Sequence, residues 1–211
     1  MNAKNKEKPL KDKMIDAALA LSAEEGWAEI SFDQIIAAAN VEMHEAHEYF
    51  DDKTDILTAY GRRLDRVVME DVSFGESDMS EREKIFDILM ARFDALNENR
   101  AAVISILESF RTDPKQMIIS LPHLGRSMGR TLELAGVESD GGVGAIKVTG
   151  LIGVYLYVVN AWKEDESADM AKTMAALDKA LDKVEMAANS LNDGNILSAV
   201  TDMCSRFTPK S

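Results

Sequence analysis

A single cysteine, Cys204, in 211 residues excludes an internal disulfide, a thiolate zinc cage and a C-x-x-C redox pair, and points to a reducing, cytoplasmic setting. Proline is nearly as scarce. There are four, two of them (Pro9 and Pro209) in the tails, and with only 12 glycines the chain lacks the turn punctuation of a sandwich or barrel. No long apolar run is present either. The most apolar stretch, Val148 to Trp162, has 15 residues and includes Thr149 and Asn160, short of the roughly 20 that span a bilayer, so a buried helix is expected and not an integral membrane protein. Met1 to Lys13 is polar and lysine-rich, without the apolar centre of a signal peptide or anchor. Basic residues are also in deficit. Lys and Arg number 24 against 37 Asp and Glu, and the net charge of −13 opposes attachment to phosphate backbones or anionic membranes unless the cations are segregated.

Catalytic signatures are missing as well. There is no G-x-S-x-G, P-loop or dinucleotide fingerprint, and Cys204 has no histidine partner identifiable from sequence, so neither an enzyme nor a cofactor is expected. His44 and His47 lie three apart near Glu48 and Asp51, whereas the H-E-x-x-H pattern holds its histidines four apart, and no metal site is predicted.

What remains is helical periodicity, with 46% hydrophobic and 29% charged residues, the balance of a soluble folded all-α chain. Leu10, Met14, Ala18 and Leu21 mark a first helix that stops at Glu25-Gly26. Ser31-x-x-Gln34 is a capping box that opens a second helix, and Asn40, which tolerates the left-handed conformation, ends it. A third helix spans about Glu42 to Phe50, and a fourth starts near Lys53. Ser80-x-x-Glu83 caps a fifth. Further helices are predicted over Ala101 to Phe110, from Asp113-Pro114 to Ala135, over Ala145 to Trp162 after a loop at Gly136 to Gly144, and from Ser167 onward. Ile196, Val200, Met203 and Phe207 suggest a last short one.

The segment Met14 to Leu57 resembles, without a gap, the TetR (tetracycline-repressor-like) family of regulators. The residues concerned are Ile15-x-Ala17-Ala18-x-x-Leu21, Glu25-Gly26-Trp27, Ser31-x-x-x-Ile35, Ala37-Ala38-Ala39-Asn40-Val41 and Tyr49-Phe50-x-x-Lys53-x-x-x-Leu57. The resemblance implies a helix-turn-helix head over residues 1–53 and a helical ligand-binding and dimerisation domain over 54–211. It further implies that Ser31, Met43, His44, His47, Tyr49 and Lys53 face double-stranded DNA, with Lys53 on a phosphate. The third helix departs from the family pattern: from residue 42 to 52 there are five carboxylates and no Lys or Arg, and carboxylates facing phosphates are repelled. Lys4, Lys6, Lys8, Lys11 and Lys13 offer a basic tail that could reach the flanking grooves.

The C-terminal half is weakly similar to TetR-fold lipid-binding accessory proteins of ubiquinone biosynthesis. The similarity lies in Glu81 to Leu107 and in Ala161-Trp162-x-x-Asp165-x-Ser167-x-Asp169-Met170-Ala171-x-Thr173-Met174-x-x-Leu177-Asp178. Two functions are therefore expected in competition: first a ligand-responsive transcriptional regulator, and as the alternative a lipid- or isoprenoid-binding accessory protein that no longer reads DNA. For either, Phe93, Leu107, Phe110, Met117, Leu121, His123, Met128 and Tyr155 are the expected lining of a cavity for a small hydrophobic ligand. Gly150 and Gly153, with Met170, Met174, Leu177, Leu181 and Val184 alternating by four and three, are the expected homodimer interface. Gly125-x-x-x-Gly129 reads as local packing.

Overall fold

The helix starts are written in capping chemistry, and the computed structural model, which describes residues 8–74 and 78–192, shows the bonds. Ser31 Oγ accepts the Gln34 N–H at 3.2 Å while Gln34 returns its carbonyl to the Ser31 N–H at 2.7 Å. Asn40 takes φ 50° and ψ 54°. Ser80 and Glu83 reciprocate in the same way at 3.2 and 2.7 Å. Among the described residues there are nine helices and no strand, in the order α1 (Leu10–Glu24), α2 (Phe32–Ala39), α3 (Met43–His47), α4 (Lys53–Asp71), α5 (Glu81–Asn97), α6 (Arg100–Thr112), α7 (Pro114–Ala135), α8 (Gly141–Lys163) and α9 (Ala171–Asn192). The expected helix around Ile196 to Phe207 lies outside the described residues.

The chain divides into two compact units. One comprises Met1–Val67 with Asp94–His123, and the other Val68–Phe93 with Leu124–Ser211. The reason in the first unit is that α1 packs on α6 as well as on α2, so the three-helix head shares its core with residues far along the chain. Met14, Ile15, Ala18 and Leu19 of α1, Ile35 and Ile36 of α2, and Val103 and Ile106 of α6 are all buried.

In the second unit α8 and α9 run against each other. Phe93 is fully buried, stacked on Tyr155 with centroids 5.6 Å apart and tilted against Trp162 at 6.3 Å. The pair Gly125 and Gly129 faces α8 closely: a Cβ at either would meet Ile152 or Val148 at 3.9 Å. α8 has 23 residues, longer than the helix expected from Ala145, and it is long and apolar enough to cross a membrane by length and composition. Its buried side includes Leu151, Val154, Val158 and Trp162. The expected loop is correspondingly shorter, because α8 starts at Gly141. Glycine is required at Gly144, where a Cβ would lie 2.1 Å from the Ser139 carbonyl.

The corner between α8 and α9 is fastened by one carboxylate. Asp165, 3% exposed, accepts from the Ser167 hydroxyl and N–H and from the Thr173 hydroxyl and N–H, the last two at 2.8 Å. Burial alone pushes its carboxyl up, and the four hydrogen bonds outweigh burial and hold it far below the ordinary 3.8. The run Asp165-x-Ser167-x-x-x-x-x-Thr173, one carrier of the lipid-protein resemblance, thus has a complete structural explanation as a helix-corner clasp. Asp165→Asn turns an acceptor into a donor facing Thr173 N–H and is expected to lower unfolding stability by about 2 kcal/mol near neutral pH in urea titrations. A group with a depressed folded pKa stabilises above its unfolded value and loses that contribution as pH falls towards the folded one, so the gap between variant and wild type should begin to narrow below about pH 4 and shrink progressively with further acid.

Candidate functional site

The α2–α3 pair is built around the left-handed Asn40. Its N–H returns to Ala37 and the Val41 N–H reaches the Ile36 carbonyl at 3.3 Å, closing α2 and turning the chain into α3 in three residues. α3 is a short helix that buries only Ala46 and leaves Met43, His44, Glu45 and His47 exposed. The His47 ring leans on Phe32 of α2 at 5.4 Å, fixing its side of the helix. Tyr49, just past α3, is half exposed, with the Lys11 ammonium over its ring at 4.9 Å. Of the expected DNA-facing residues, Ser31, Met43, His44, His47 and Tyr49 are thus on the surface of the head.

Lys53 is the exception. Its ammonium donates to the carbonyls of Trp27 and Ile30, both at 2.8 Å, and lies 5.4 Å from the Trp27 ring. Two of its three donors are spent inside the head, binding the start of α4 to the turn between α1 and α2. Partial burial draws the ammonium below the ordinary lysine range, opposed by Asp113, Glu29 and Asp52. Where an outward phosphate contact is expected, the ammonium of this chain is held by the carbonyls at the end of the α1–α2 turn.

The neighbouring carboxylates also have local work. Asp52 accepts the N–H groups of Thr54 and Asp55 at 2.7 and 3.3 Å, and Asp55 reaches back to the Asp51 N–H at 2.8 Å. The N-terminus of α4, where backbone donors attract anions, is therefore already filled by side chains of the chain itself. Glu45 similarly reaches the Glu42 N–H at 3.4 Å. Counted along the sequence these acids are surface charge; the spacing Asp52-x-x-Asp55 is the signal that they cap a helix. Lys8, expected to extend towards DNA, is paired with Asp16, which also binds Arg63 at 2.7 Å.

Trp27 is the residue on which these bonds converge. Gly26, at φ 96°, a conformation that side chains rarely adopt, points the Trp27 N–H at Ser105 Oγ of α6 at 2.7 Å. The indole Nε1 donates to Gln116 of α7 at 2.9 Å, and the residue is 2% exposed.

The residues of the expected ligand lining belong to both units. Phe93 and Met128 are packed to zero exposure in the second unit, where Tyr155 is half-buried. In the first unit Leu107, Phe110 and His123 are half-buried, and Met117 and Leu121 lie on the surface. A cavity of about 350 Å³ does occur in the first unit, but its walls are Lys8, Asp16, Tyr60, Arg63, Leu64, Val67, Ala95, Glu98 and Asn99, none of the eight expected residues. The residues of the expected dimer seam differ in exposure. Gly150, Met170, Leu177 and Leu181 are buried within this chain and Gly153 and Val184 are half-buried, while Met174 is 37% exposed. A seam with 4-3 spacing needs a partner helix, and α8 of the same chain lies alongside it.

Several solved structures share this architecture. A TetR transcriptional regulator from Nitrosomonas europaea aligns over 83% of this chain and 97% of its own, with TM-score 0.67 and 24% identity. The fold is that of TetR-family regulators. A Rhodococcus TetR transcriptional regulator aligns over 82% of this chain and 95% of its own, with TM-score 0.55 and 17% identity. A TetR-family transcriptional regulator from Syntrophomonas wolfei covers 81% and 92% with TM-score 0.58 and 17% identity. No protein-family model and no curated protein matches the sequence.

Replacing Lys53 by Met keeps the stem and removes both donors. Urea unfolding is expected to show a loss of about 1–2 kcal/mol, discounted for the partial exposure of the site. An unchanged midpoint would mean that the ammonium does not hold the turn.

Proposed function

We propose that this chain is a homodimeric, cytoplasmic transcriptional regulator that binds DNA through α3 and responds to a small apolar ligand. The observation that carries the reading is the ordered α2–Asn40–α3 turn, which exposes Met43, His44 and His47 on a helix whose buried residue is Ala46. The likeness to TetR-fold regulators supports it. On this surface the readable groups are a thioether and two imidazoles, suited to thymine methyl contact and to hydrogen bonding at base edges. Phosphate neutralisation is weak here, with Lys53 turned inward and Glu42, Glu45, Glu48, Asp51 and Asp52 exposed. Recognition therefore depends more on base edges than on the backbone, which favours a narrow set of sites over broad DNA affinity.

Dimerisation would place two α3 helices on a two-fold site. Leu156 of α8 and Met174 of α9 are exposed apolar side chains that a second copy would cover. A ligand would act by binding one spacing of the two reading heads more tightly than another, so releasing or retaining DNA by differential affinity.

The test is capture from sheared genomic DNA of the host at low and physiological salt, followed by sequencing. A palindromic site should be enriched at physiological salt, and Met43→Ala and His44→Ala should each weaken binding to that site by about 1–3 kcal/mol while leaving the urea midpoint unchanged. Failure to enrich any site with ligand-stripped protein would overturn the reading and make the head a scaffold.

A further inference from the structure

The reading helix carries no permanent positive charge. From residue 42 to 52 there is no Lys or Arg, and the ammonium of Lys53 is engaged by the carbonyls of Trp27 and Ile30. The groups in that stretch able to become cationic are the imidazoles of His44 and His47. They lie three apart on α3, so they share a face, and both are exposed beside Met43. The charged groups around them are mostly acids. Glu42 and Glu48 cap α3 and Glu45 lies within it, while Asp51 and Asp52 lead into α4, and all five are exposed. α2 packs on α3 and meets the His47 ring through Phe32, and its one charged residue is the exposed Asp33. From α1, the Lys11 ammonium lies over the Tyr49 ring at 4.9 Å.

We propose that α3 binds DNA with His44 and His47 as imidazolium ions, so that operator affinity is coupled to proton uptake and rises with acidity. The inference rests on the DNA-reading role of α3 and adds the charge state in which that helix reads. A neutral imidazole offers one N–H donor and one acceptor, whereas the imidazolium offers two donors. Guanine O6 and N7 are acceptors, as are phosphate oxygens, so protonation turns both ring nitrogens towards what a G·C pair and the backbone present. Electrostatics acts in the same direction. DNA carries about one negative charge per 1.7 Å of its axis, and an opposite charge nearby favours the charged form of an ionisable group. Without the two protons, the only charges α3 brings to the phosphates are carboxylates. Protons held more tightly in the complex than in the free protein strengthen binding at low pH, and that gain is lost as pH rises through the titration of the complex. Imidazoles change charge between about pH 5 and 8, and carboxylic acids near about pH 4, so this window belongs to the histidines.

The experiment captures sheared genomic DNA of the host on the full chain at about pH 6 and at about pH 8, then measures affinity for the captured duplex across that range at fixed ionic strength. Wild type should bind roughly tenfold or more tightly at the acid end. Its slope of log affinity against log salt should also be steeper there, because more phosphate charge is neutralised. The double variant His44→Gln, His47→Gln keeps hydrogen-bonding side chains but cannot take up the protons, and its affinity should stay level across the range. Both substitutions fall on exposed positions, and an unshifted urea midpoint verifies folding. A captured duplex that wild type binds equally at both ends, or a pH dependence that the double variant retains, overturns the proposal and leaves DNA recognition standing. Capture of no site at either pH overturns the DNA-reading role of α3 and this proposal with it.

Discussion

The first unit depends on the hydrogen bonding of one turn. Trp27 follows a glycine held at positive φ, and its N–H, indole N–H and carbonyl are bonded to Ser105, Gln116 and Lys53. These partners lie 78, 89 and 26 residues away in the chain. A buried indole without an acceptor for its N–H would lose much of what its burial contributes, so the placement of Gln116 and the burial of Trp27 require each other. Because α1 ends at this turn and α2 begins after it, the direction of α2, and through Asn40 that of α3, is fixed by bonds to α6, α7 and α4.

That arrangement has a consequence for DNA recognition. An ammonium that supports the turn and a helix N-terminus filled by Asp52 are both withheld, in large part, from a phosphate. The acidic stretch after residue 42 is therefore two things at once: helix-capping chemistry near α4, and a negative surface around α3. Affinity has to come from the exposed Met43, His44 and His47, whose contacts discriminate between bases in a way that lysines on phosphates do not.

Local chemistry was legible in the sequence. Ser31, Asn40 and Ser80 declared their helix ends because capping depends on neighbours within four residues, and the Gly125 and Gly129 pair does serve packing. What the sequence concealed was direction. Lys53 has the same spacing from Tyr49-Phe50 whether it points to solvent or inward, and only the distant carbonyls of Trp27 and Ile30 decide between them. The seam through Leu177 and Leu181 likewise reads the same whether its partner is α8 of one chain or a second copy. For a related reason the expected ligand residues are hard to read: apolar character marks a core position as readily as a cavity wall, and Phe93 and Met128 are core. The start of α8 is hidden because glycines usually break helices, whereas Gly144 is needed by the close approach of Ser139.

The most direct test of this arrangement is the salt dependence of operator binding, measured for wild type and for Lys53→Met on the same captured site. If the ammonium is held by Trp27 and Ile30, the two slopes of log affinity against log salt should coincide, with the variant differing only in folding stability. A slope shallower by about one in the variant would mean that the lysine neutralises a phosphate in the wild-type complex, and would contradict an inward-facing Lys53.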